Sequence, residues 1–413
     1  MKVIHLTFAD NGGGHNAVYR IHHALLKQKI NSRMWVNQSK LSDCTVEIFS
    51  KTDGVFCNFR RDLINYTIVK TLKTKNKIIH SPSILPSGWV KHINNSNADI
   101  VHLHWVQGEM LSIKDISKIK KPIVWTLHDM WAFCGAEHYT NDNRWREGYN
   151  YNNRPSYESG FDLNRWTWQR KKNYWKKPFK VVTPSNWLTN CVRESKLMNN
   201  WSVSTIPNPI DTDNWRPMDK IAARKKFNLS PDTSLILFGA MYGGYDPRKG
   251  VDLLFESLKD LKYSLKDKKI KVVVFGQNRA NKPYKTRFPI QYIGHLKDDI
   301  SLQAAYSAAD VMVVPSRQDN LPNTAVEAQA CGTPVVAFNI GGMPDIIIHK
   351  KTGYLAKAFD PKDLANGINF ILKKNDSVEL IKNSRDQAIK IFSEKKIVKS
   401  YLSIYKKLLS ELN

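Results

Sequence analysis

One stretch, residues 311–355, constrains the fold more than any other part of the chain. It opens with the apolar, mostly β-branched run Val311–Val314, which Pro315 bounds and which is typical of a buried parallel strand. After a polar loop, Pro322 stands where a first helical residue is favoured and Gly332 where a helix ends. A second apolar run at 334–338 completes a predicted strand–loop–helix–strand unit. Open α/β sheets bind ligands at the carboxyl ends of such strands, so we expect a site here.

Two carboxylates, Asp319 and Glu327, fall in this expected site, eight positions apart. Glu327 shares a helix face with Asn323, four positions earlier. A helix start suits a phosphate, because it offers backbone N–H groups and the positive end of a dipole, and a carboxylate one turn further in could bind sugar hydroxyls. The alternative is that Glu327 is solvated and Asp319 is an N-terminal cap. Spacing alone favours that alternative, since carboxylates are usually exposed.

The segment PSRQDNLPNTAVEAQACGTPVVAFNIGGMPDII resembles the donor-binding signature of the retaining glycosyltransferases of family 4, an acid and then a glutamate after seven residues. Asp319 stands where many members have glutamate, which keeps the charge but shortens the reach. The resemblance implies the α/β fold called GT-B, two Rossmann-like, doubly wound domains facing across a cleft. It implies that Glu327 holds the ribose and Asp319 the sugar hydroxyls of a nucleotide-sugar donor. The other donor contacts expected at this helix start are Asn320, Leu321, Pro322 and Asn323.

The N-terminus has the pattern of a first doubly wound unit. An apolar run at 2–8 predicts a strand, Gly12, Gly13 and Gly14 follow it, and 16–27 is amphipathic. The glycines do not match the G-x-G-x-x-G dinucleotide pattern, so a flexible turn is an equal alternative. The family resemblance implies a glycine loop that faces the acceptor or a phosphate.

Histidines mark two further predicted strands. His102 and His104 alternate with apolar residues in 98–105, which favours a place in the core. His128 comes directly after the apolar run 122–127, where site residues of parallel sheets lie. TLHDMWAF resembles the corresponding family 4 loop, which implies a catalytic role for His128 beside Asp129. The long polar and aromatic loop at 134–159 is expected to wall the acceptor site.

Arg248 and Lys249 precede the predicted helix VDLLFESL. They are either a solvated surface pair or, with the helix start, a site for one phosphate. The resemblance implies contacts with the donor pyrophosphate. Asp211 and Asp213 form an Asp-x-Asp pair in a proline-rich segment, where we expect a turn and not a metal site. No metal or other cofactor is expected.

The formal net charge of +26 favours an anionic partner or reflects solvated surface lysines. Residues 164–180 interleave tryptophans with basic residues and allow three interpretations. The first is structural packing, with Trp166 and Trp168 or Tyr174 inside and the lysines outside. The others are an anionic membrane interface and nucleic-acid binding. The five scattered cysteines indicate neither a disulfide framework nor a zinc site. With no signal-peptide pattern and no apolar run of about 20 residues, we expect a cytoplasmic protein, with a peripheral place on the inner face of the plasma membrane left open.

These observations predict an N-terminal acceptor-side domain at 1–206, a linker at 207–217, a donor-binding domain at 218–393, and a last helix at about 394–413 that packs back on the first domain. The expected function is retaining transfer of a sugar from a nucleotide sugar to a saccharide or lipid-linked saccharide acceptor, in cell-surface polysaccharide synthesis. No nucleic-acid partner is expected. The alternatives are a basic nucleic-acid- or membrane-binding protein without catalysis, and a phosphorylase or epimerase on the same fold.

Overall fold

A computed structural model describes residues 1–10, 12–48, 62–64, 66–67, 70–239, 246–261, 269–279, 286–374 and 378–411. The chain forms two compact units. Unit 1 comprises Met1–Pro207 and Ile397–Asn413, and unit 2 comprises Asn208–Lys396. Part of the loop before Arg248, residues 240–245, lies outside the described residues.

Unit 1 is built on a parallel sheet with the strand order β3-β2-β1-β5-β6-β8-β9. Its strands are β1 (Lys2–Ala9), β2 (Asn31–Gln38), β3 (Val46–Ile48), β5 (Ile100–Leu103), β6 (Ile123–Thr126), β8 (Lys180–Thr183) and β9 (Val203–Thr205), and β4 (Leu72–Lys73) pairs separately with β7 (Ser159–Gly160). Its helices are α1 (Gly13–Lys27), α2 (Trp89–Asn95), α3 (Ile113–Ile116), α4 (Arg144–Glu147), α5 (Leu163–Tyr174) and α6 (Asn186–Glu194). The sheet grows outward in both directions from the β1–β5 pair, so the loops after these two strands flank its switch point.

Unit 2 repeats this plan with the order β12-β11-β10-β13-β14-β15, again parallel. Its strands are β10 (Thr233–Gly239), β11 (Lys269–Phe275), β12 (Ile290–Tyr292), β13 (Val311–Val314), β14 (Val335–Phe338) and β15 (Gly353–Ala356). Its helices are α7 (Lys220–Lys226), α8 (Val251–Ser257), α9 (Asp299–Ala308), α10 (Asn323–Ala330), α11 (Met343–Ile346), α12 (Pro361–Lys373) and α13 (Val378–Phe392), with a 3-10 turn at Pro247–Lys249. The switch point lies between β10 and β13, which places the loops at 246–250 and 315–322 beside each other.

The last helix, α14 (Glu394–Ser410), belongs to unit 1 from Ile397 onward. Its tyrosines Tyr401 and Tyr405 are fully buried in a cluster with Ile21 and Leu25 of α1. Tyr401 OH lies 3.1 Å from Thr126 Oγ1, so this helix is anchored against the central strands by polar as well as apolar contacts.

The predicted fold class, two doubly wound α/β domains, is confirmed. Several boundaries differ from prediction. Pro322 caps α10 with an extended ψ of 120°, so the helix begins one residue later than the sequence pattern indicated. Strand β9 and helix α13 were not predicted from the sequence.

Candidate functional site

The two switch-point loops of unit 2 are in close backbone contact. Gly250 has φ +63°, and a Cβ atom built on it would lie 1.9 Å from the Pro315 carbonyl oxygen. Gly341 has φ +54°, and its Cβ would lie 2.1 Å from the Asp319 carbonyl oxygen. Only glycine allows these approaches, since a side chain would meet backbone in both places. The glycines therefore bring Lys249 and Asp319 within contact distance.

Lys249 and Asp319 form an ion pair in which Nζ donates to Oδ2 at 2.7 Å. Ser316 Oγ donates to the same oxygen at 3.2 Å. Burial works to raise the pKa of Asp319, but the Lys249 ammonium outweighs it, with Arg248 adding to the effect, so this pKa lies below its usual range. The capping alternative for Asp319 is wrong, because Pro322 occupies the N-cap of α10. Asp319 is therefore an ionised, buried carboxylate that is paired with Lys249.

Two arginines form ion pairs at the basic turn Pro247–Lys249. The Arg248 guanidinium donates two hydrogen bonds to the Asp246 carboxylate, from Nη2 to Oδ2 at 2.6 Å and from Nε to Oδ1 at 3.1 Å. Arg317, which the sequence did not single out, pairs with Asp252 through both Nη atoms at 2.6 and 2.7 Å. Its backbone N–H donates to the Arg248 carbonyl at 2.6 Å, which ties the loop after β13 to the loop after β10.

Glu327 lies inside α10 and is only 5% exposed, so the solvated alternative is wrong. Its Oε2 accepts a hydrogen bond from the hydroxyl of Tyr306 at 2.8 Å. Tyr306 belongs to α9 and was missed by the sequence reasoning, because nothing in its local pattern points to residue 327. The predicted donor residues Asn320, Leu321 and Pro322 are buried just before the helix, and Asn323 is its half-buried first residue.

In unit 1 the glycine segment Gly12–Gly14 lies against His128. Gly12, with φ +87°, is the N-cap of α1, and Gly13 and Gly14 form its first residues, so the glycines start a helix instead of forming a loop. A Cβ atom on Gly14 would lie 3.5 Å from Cβ and Cγ of His128. His128 is half-buried, and burial lowers its pKa to about 4, so the ring is neutral at neutral pH.

Asp129 follows His128, but its carboxylate is bound elsewhere. It accepts from His138 Nδ1 at 2.6 Å, Trp131 N at 2.9 Å and Trp105 Nε1 at 3.1 Å. Burial works to raise the pKa of Asp129, and the attraction of His138 outweighs it, so this pKa is lowered. Asp129 therefore fixes the loop after β6.

Three more histidines are buried behind His128. His102 and His104 lie in the core, as predicted, and His5 of β1 stands in register with His102 of β5. The ligand atoms of these three rings lie within 4.8 Å of one another, a spacing that a metal ion could use. However, the nitrogens of His102 already meet Thr126 Oγ1 and Tyr405 OH, each at 2.7 Å, and the rings of His5 and His104 are bonded to each other. The three rings therefore form a hydrogen-bonded cluster.

The loop at 134–159 is ordered by a buried lysine. Lys171 of α5 donates to the carbonyls of Trp131, Cys134 and Gly135 and is fully buried. Burial lowers its pKa. In the segment at 164–180 the structural interpretation holds for Trp168, which is buried, but the expectation that its lysines face outward is wrong at Lys171.

The Asp211–Asp213 pair forms a turn. The Asp211 carboxylate accepts from the backbone N–H groups of Asp213 and Asn214 at 3.1 and 3.2 Å and from Asn214 Nδ2 at 2.8 Å. Its oxygens thus close a local turn, in agreement with the sequence interpretation. Among the described helices of both units, none is long and apolar enough to traverse a bilayer.

Two family models match the chain. Residues 11–214 match the model described as Glycosyltransferase Family 4, and residues 219–390 match Glycosyl transferases group 1. The D-inositol 3-phosphate glycosyltransferase 2 of Catenulispora acidiphila is 33% identical over 184 residues, which cover 41% of this chain and 42% of that protein. The D-inositol 3-phosphate glycosyltransferase of Geodermatophilus obscurus is 31% identical over 214 residues, or 48% of this chain and 46% of that protein. The chain spans less than half the length of these curated relatives.

Solved structures share the fold over nearly the whole chain. Sucrose-phosphate synthase from Thermosynechococcus elongatus superposes with a TM-score of 0.72 at 18% identity and covers 100% of both chains. HepE of Anabaena, in complex with UDP-glucose, gives 0.64 at 14% identity over 98% of this chain and 100% of that one. WaaG, a glycosyltransferase involved in lipopolysaccharide biosynthesis, gives 0.62 at 16% identity over 96% and 98%. At these identities the likeness establishes the fold alone.

Proposed function

The chain belongs to glycosyltransferase family 4, and from that premise we propose that it transfers a sugar from a nucleotide-sugar donor to a saccharide or lipid-linked saccharide acceptor with retention of anomeric configuration. The observation that carries the proposal is the switch point of unit 2. There Lys249 and Arg248 follow β10, while the start of α10 and the buried Glu327 follow β13. The complex of HepE with UDP-glucose supports a nucleotide-sugar donor on this fold.

Charge develops on the nucleoside diphosphate as the bond to the sugar breaks. Lys249, Arg248 and the backbone N–H groups near Leu321–Asn323 would stabilise it, because cations and aligned dipoles act strongly in a site that excludes water. They would hold that charge without a metal ion, so we propose a metal-independent reaction.

The carboxylates would bind the donor's hydroxyls. Glu327, whose Oε2 accepts a hydrogen bond from Tyr306, would bind the ribose. Asp319 would bind the hydroxyls of the sugar once a phosphate draws Lys249 away. From unit 1, Gly12–Gly14 and His128 would contribute on the acceptor side. We name no covalent nucleophile, and in this scheme the departing phosphate accepts the acceptor's proton.

We also propose that the protein acts in cell-surface polysaccharide synthesis, inside the cell at an anionic membrane face. The net charge of +26 supports it. On unit 1, Tyr151 is 78% exposed under the Arg165 guanidinium, which lies 3.5 Å from its ring centroid, and Phe161 is 47% exposed nearby in sequence. Amphipathic aromatic and basic side chains of this kind favour a bilayer interface.

The donor is tested first, since it needs no knowledge of the acceptor. We expect one nucleotide sugar from a panel with different bases and sugars to raise the thermal midpoint of the purified chain, and to be slowly hydrolysed by it. Glu327→Gln and Lys249→Ala should each lower turnover by about 100-fold. The controls are Glu379→Gln and Lys382→Ala, which alter exposed residues of α13 in the same unit. Wild-type turnover in both site variants would refute the site.

Three further measurements separate the alternatives. Turnover should persist in EDTA, and its loss would overturn metal independence. Proton NMR of the glycoside product should show the donor's anomeric configuration, whereas inversion would contradict the retaining mechanism. Binding to DNA or anionic vesicles that falls steeply with salt, with no turnover of any nucleotide sugar, would favour a binding protein. A product formed without acceptor, such as a sugar phosphate or an epimer, would indicate a phosphorylase or an epimerase.

A further inference from the structure

A histidine beside the glycine segment of unit 1 lies in the candidate site and has no role in the scheme above. His15 stands in the first turn of α1, directly after Gly14, which is exposed and lies against His128. Its Nδ1 lies 2.8 Å from Oγ1 of Thr7, a fully buried residue of β1. Its ring meets the Trp105 ring edge-on, with the two centroids 5.5 Å apart. One side of this imidazole is therefore fixed against the sheet.

The other ring nitrogen of His15 is open to a ligand. Its Nε2 meets no hydrogen-bond partner among the described residues and, unlike His5 Nε2, is not enclosed by protein. The two nitrogens of an imidazole point away from each other, so Nε2 points away from β1 when Nδ1 faces Thr7. The side chain is half-buried and Gly14 beside it is exposed, so a ligand can reach this nitrogen.

The His15 ring is neutral, and the charge that acts on it is negative. Burial lowers the pKa of His15 to about 4 and outweighs the attraction of the Asp10 carboxylate, which works to raise it. An anion would therefore find no cation in this imidazole and would approach an acid. The start of α1 favours anions through its dipole, but the Gly12 N–H donates to Asn16 Oδ1 and the His15 N–H to the Gly12 carbonyl, each at 2.8 Å. These contacts leave fewer backbone donors for a phosphate.

A neutral hydroxyl fits these conditions. It both donates and accepts, so it can bond to Nε2 whichever ring nitrogen carries the proton. Phosphate oxygens mainly accept, so a phosphate would need the proton on Nε2. We propose that His15 is a further ligand-binding residue of the candidate site, and that its Nε2 hydrogen-bonds a hydroxyl of a neutral saccharide acceptor. The acceptor role of that saccharide rests on the function proposed above, whereas its binding at His15 does not.

Binding can be observed without a known acceptor by NMR of the protein labelled with 15N-histidine. The His15 signals are assigned by their loss in His15→Asn. The probes are the methyl glycosides of glucose, galactose, mannose and N-acetylglucosamine, and inorganic phosphate at the same concentration. We expect at least one glycoside to shift the His15 Nε2 signal, with phosphate leaving it in place. A panel in which no glycoside shifts this signal overturns the proposal, and so does an equal or larger shift with phosphate.

Two amide variants separate a ligand contact from a structural role. The amide of His15→Asn reaches the place of Nδ1, so it keeps a hydrogen bond to Thr7 and removes the group at Nε2. The amide of His15→Gln reaches the place of Nε2 and leaves Thr7 without its partner. A ligand contact therefore predicts a defect in His15→Asn, whereas a structural role predicts one in His15→Gln. His23→Asn is the matched control, because His23 lies about two turns further along α1, with Nε2 at 2.7 Å from Asp43.

Transfer kinetics measure this defect. With the cognate donor, and with a glycoside that shifts the His15 signal as acceptor, His15→Asn should raise KM for the glycoside about fivefold with little change in KM for the nucleotide sugar. His15→Gln and His23→Asn should stay within about twofold of wild type. An equal rise in KM for the glycoside in His15→Gln, or no rise in His15→Asn, overturns the proposal.

These outcomes also separate the His15 contact from the proposed function. If no nucleotide sugar is turned over while a glycoside shifts the His15 signal, the function fails and the saccharide contact stands. If transfer occurs and His15→Asn transfers as well as the wild type, the contact fails and the function stands.

Discussion

Lys249 Nζ and Asp319 Oδ2 lie 2.7 Å apart, which joins the loops after β10 and β13 through one ion pair. The same lysine is the residue expected to meet the donor phosphate. In the proposed function, a donor phosphate would displace Asp319 as the counter-ion of this lysine. Aspartate in place of glutamate keeps this carboxylate close to the lysine and shortens its reach toward the sugar of a donor.

Lys249→Met should destabilise unit 2 by about 1–3 kcal/mol, because it leaves a buried carboxylate without its partner while the ammonium itself is part-exposed. The double variant Lys249→Met/Asp319→Asn should recover most of that stability and remain inactive. Differential scanning calorimetry measures the first effect and donor hydrolysis the second. An active double variant would show that the lysine serves only to neutralise Asp319.

Tyr306→Phe removes only the hydroxyl that donates to Glu327. We expect KM for the nucleotide sugar to rise about five- to tenfold with kcat nearly unchanged, since a ribose contact is made equally in the ground and transition states. Tyr354→Phe is the matched control, because its hydroxyl donates to the Asp363 carboxylate at 3.0 Å in the same unit. An equal effect of both variants on KM would remove Tyr306 from the site.

The elements that a local sequence pattern encodes could be predicted from the sequence. The strand at 311–314, the loops that carry Lys249 and Asp319, and the helix that carries Glu327 follow from apolar runs and turn residues. The family resemblance singled out Glu327 against the more common solvated alternative. Its burial now supports that choice, although its role stays a prediction.

Contacts between distant residues were not predictable from one sequence. His5 and His104 are 99 positions apart and meet only because β1 pairs with β5. Arg317 and Asp252 meet because two glycine-dependent loops touch. Lys171 was expected outside since lysines are rarely buried, and only the three carbonyls of a folded loop make its burial favourable.

Lowering the pH should destabilise unit 1 at pH values above those at which carboxylates with ordinary pKa values become protonated. Burial lowers the pKa of seven of its histidines: His5, His15, His22, His80, His102, His104 and His128. From about pH 6.5 down to about 4, the unfolded chain binds protons that the folded unit does not, so stability falls as pH falls. Above about pH 7 these histidines are neutral in both the folded and the unfolded state, so they do not make the free energy of unfolding depend on pH. Burial raises the pKa values of Glu109 and Glu137, so the folded unit binds protons there that the unfolded chain does not. These two groups oppose the effect of the seven histidines but take up fewer protons.

Tryptophan fluorescence isolates this effect, because eleven of the twelve tryptophans lie in unit 1. Urea midpoints of the fluorescence transition should fall between about pH 6.5 and 5. Each histidine contributes up to about 1.4 kcal/mol per pH unit. A midpoint that stays level down to pH 5 would contradict the buried neutral rings.

Lys171→Met should cost unit 1 about 2–4 kcal/mol. The ammonium donates to the carbonyls of Trp131, Cys134 and Gly135, and an isosteric apolar side chain leaves those buried acceptors without a donor. Lys172→Met is the matched control, since that lysine is its exposed neighbour on α5 and its loss should cost less than about 0.5 kcal/mol. Urea unfolding followed by tryptophan fluorescence compares the two variants. Because the loop at 134–159 starts at these carbonyls, Lys171→Met should also raise KM for the acceptor more than KM for the donor. Equal stabilities of the two variants would mean that Lys171 does not anchor the loop.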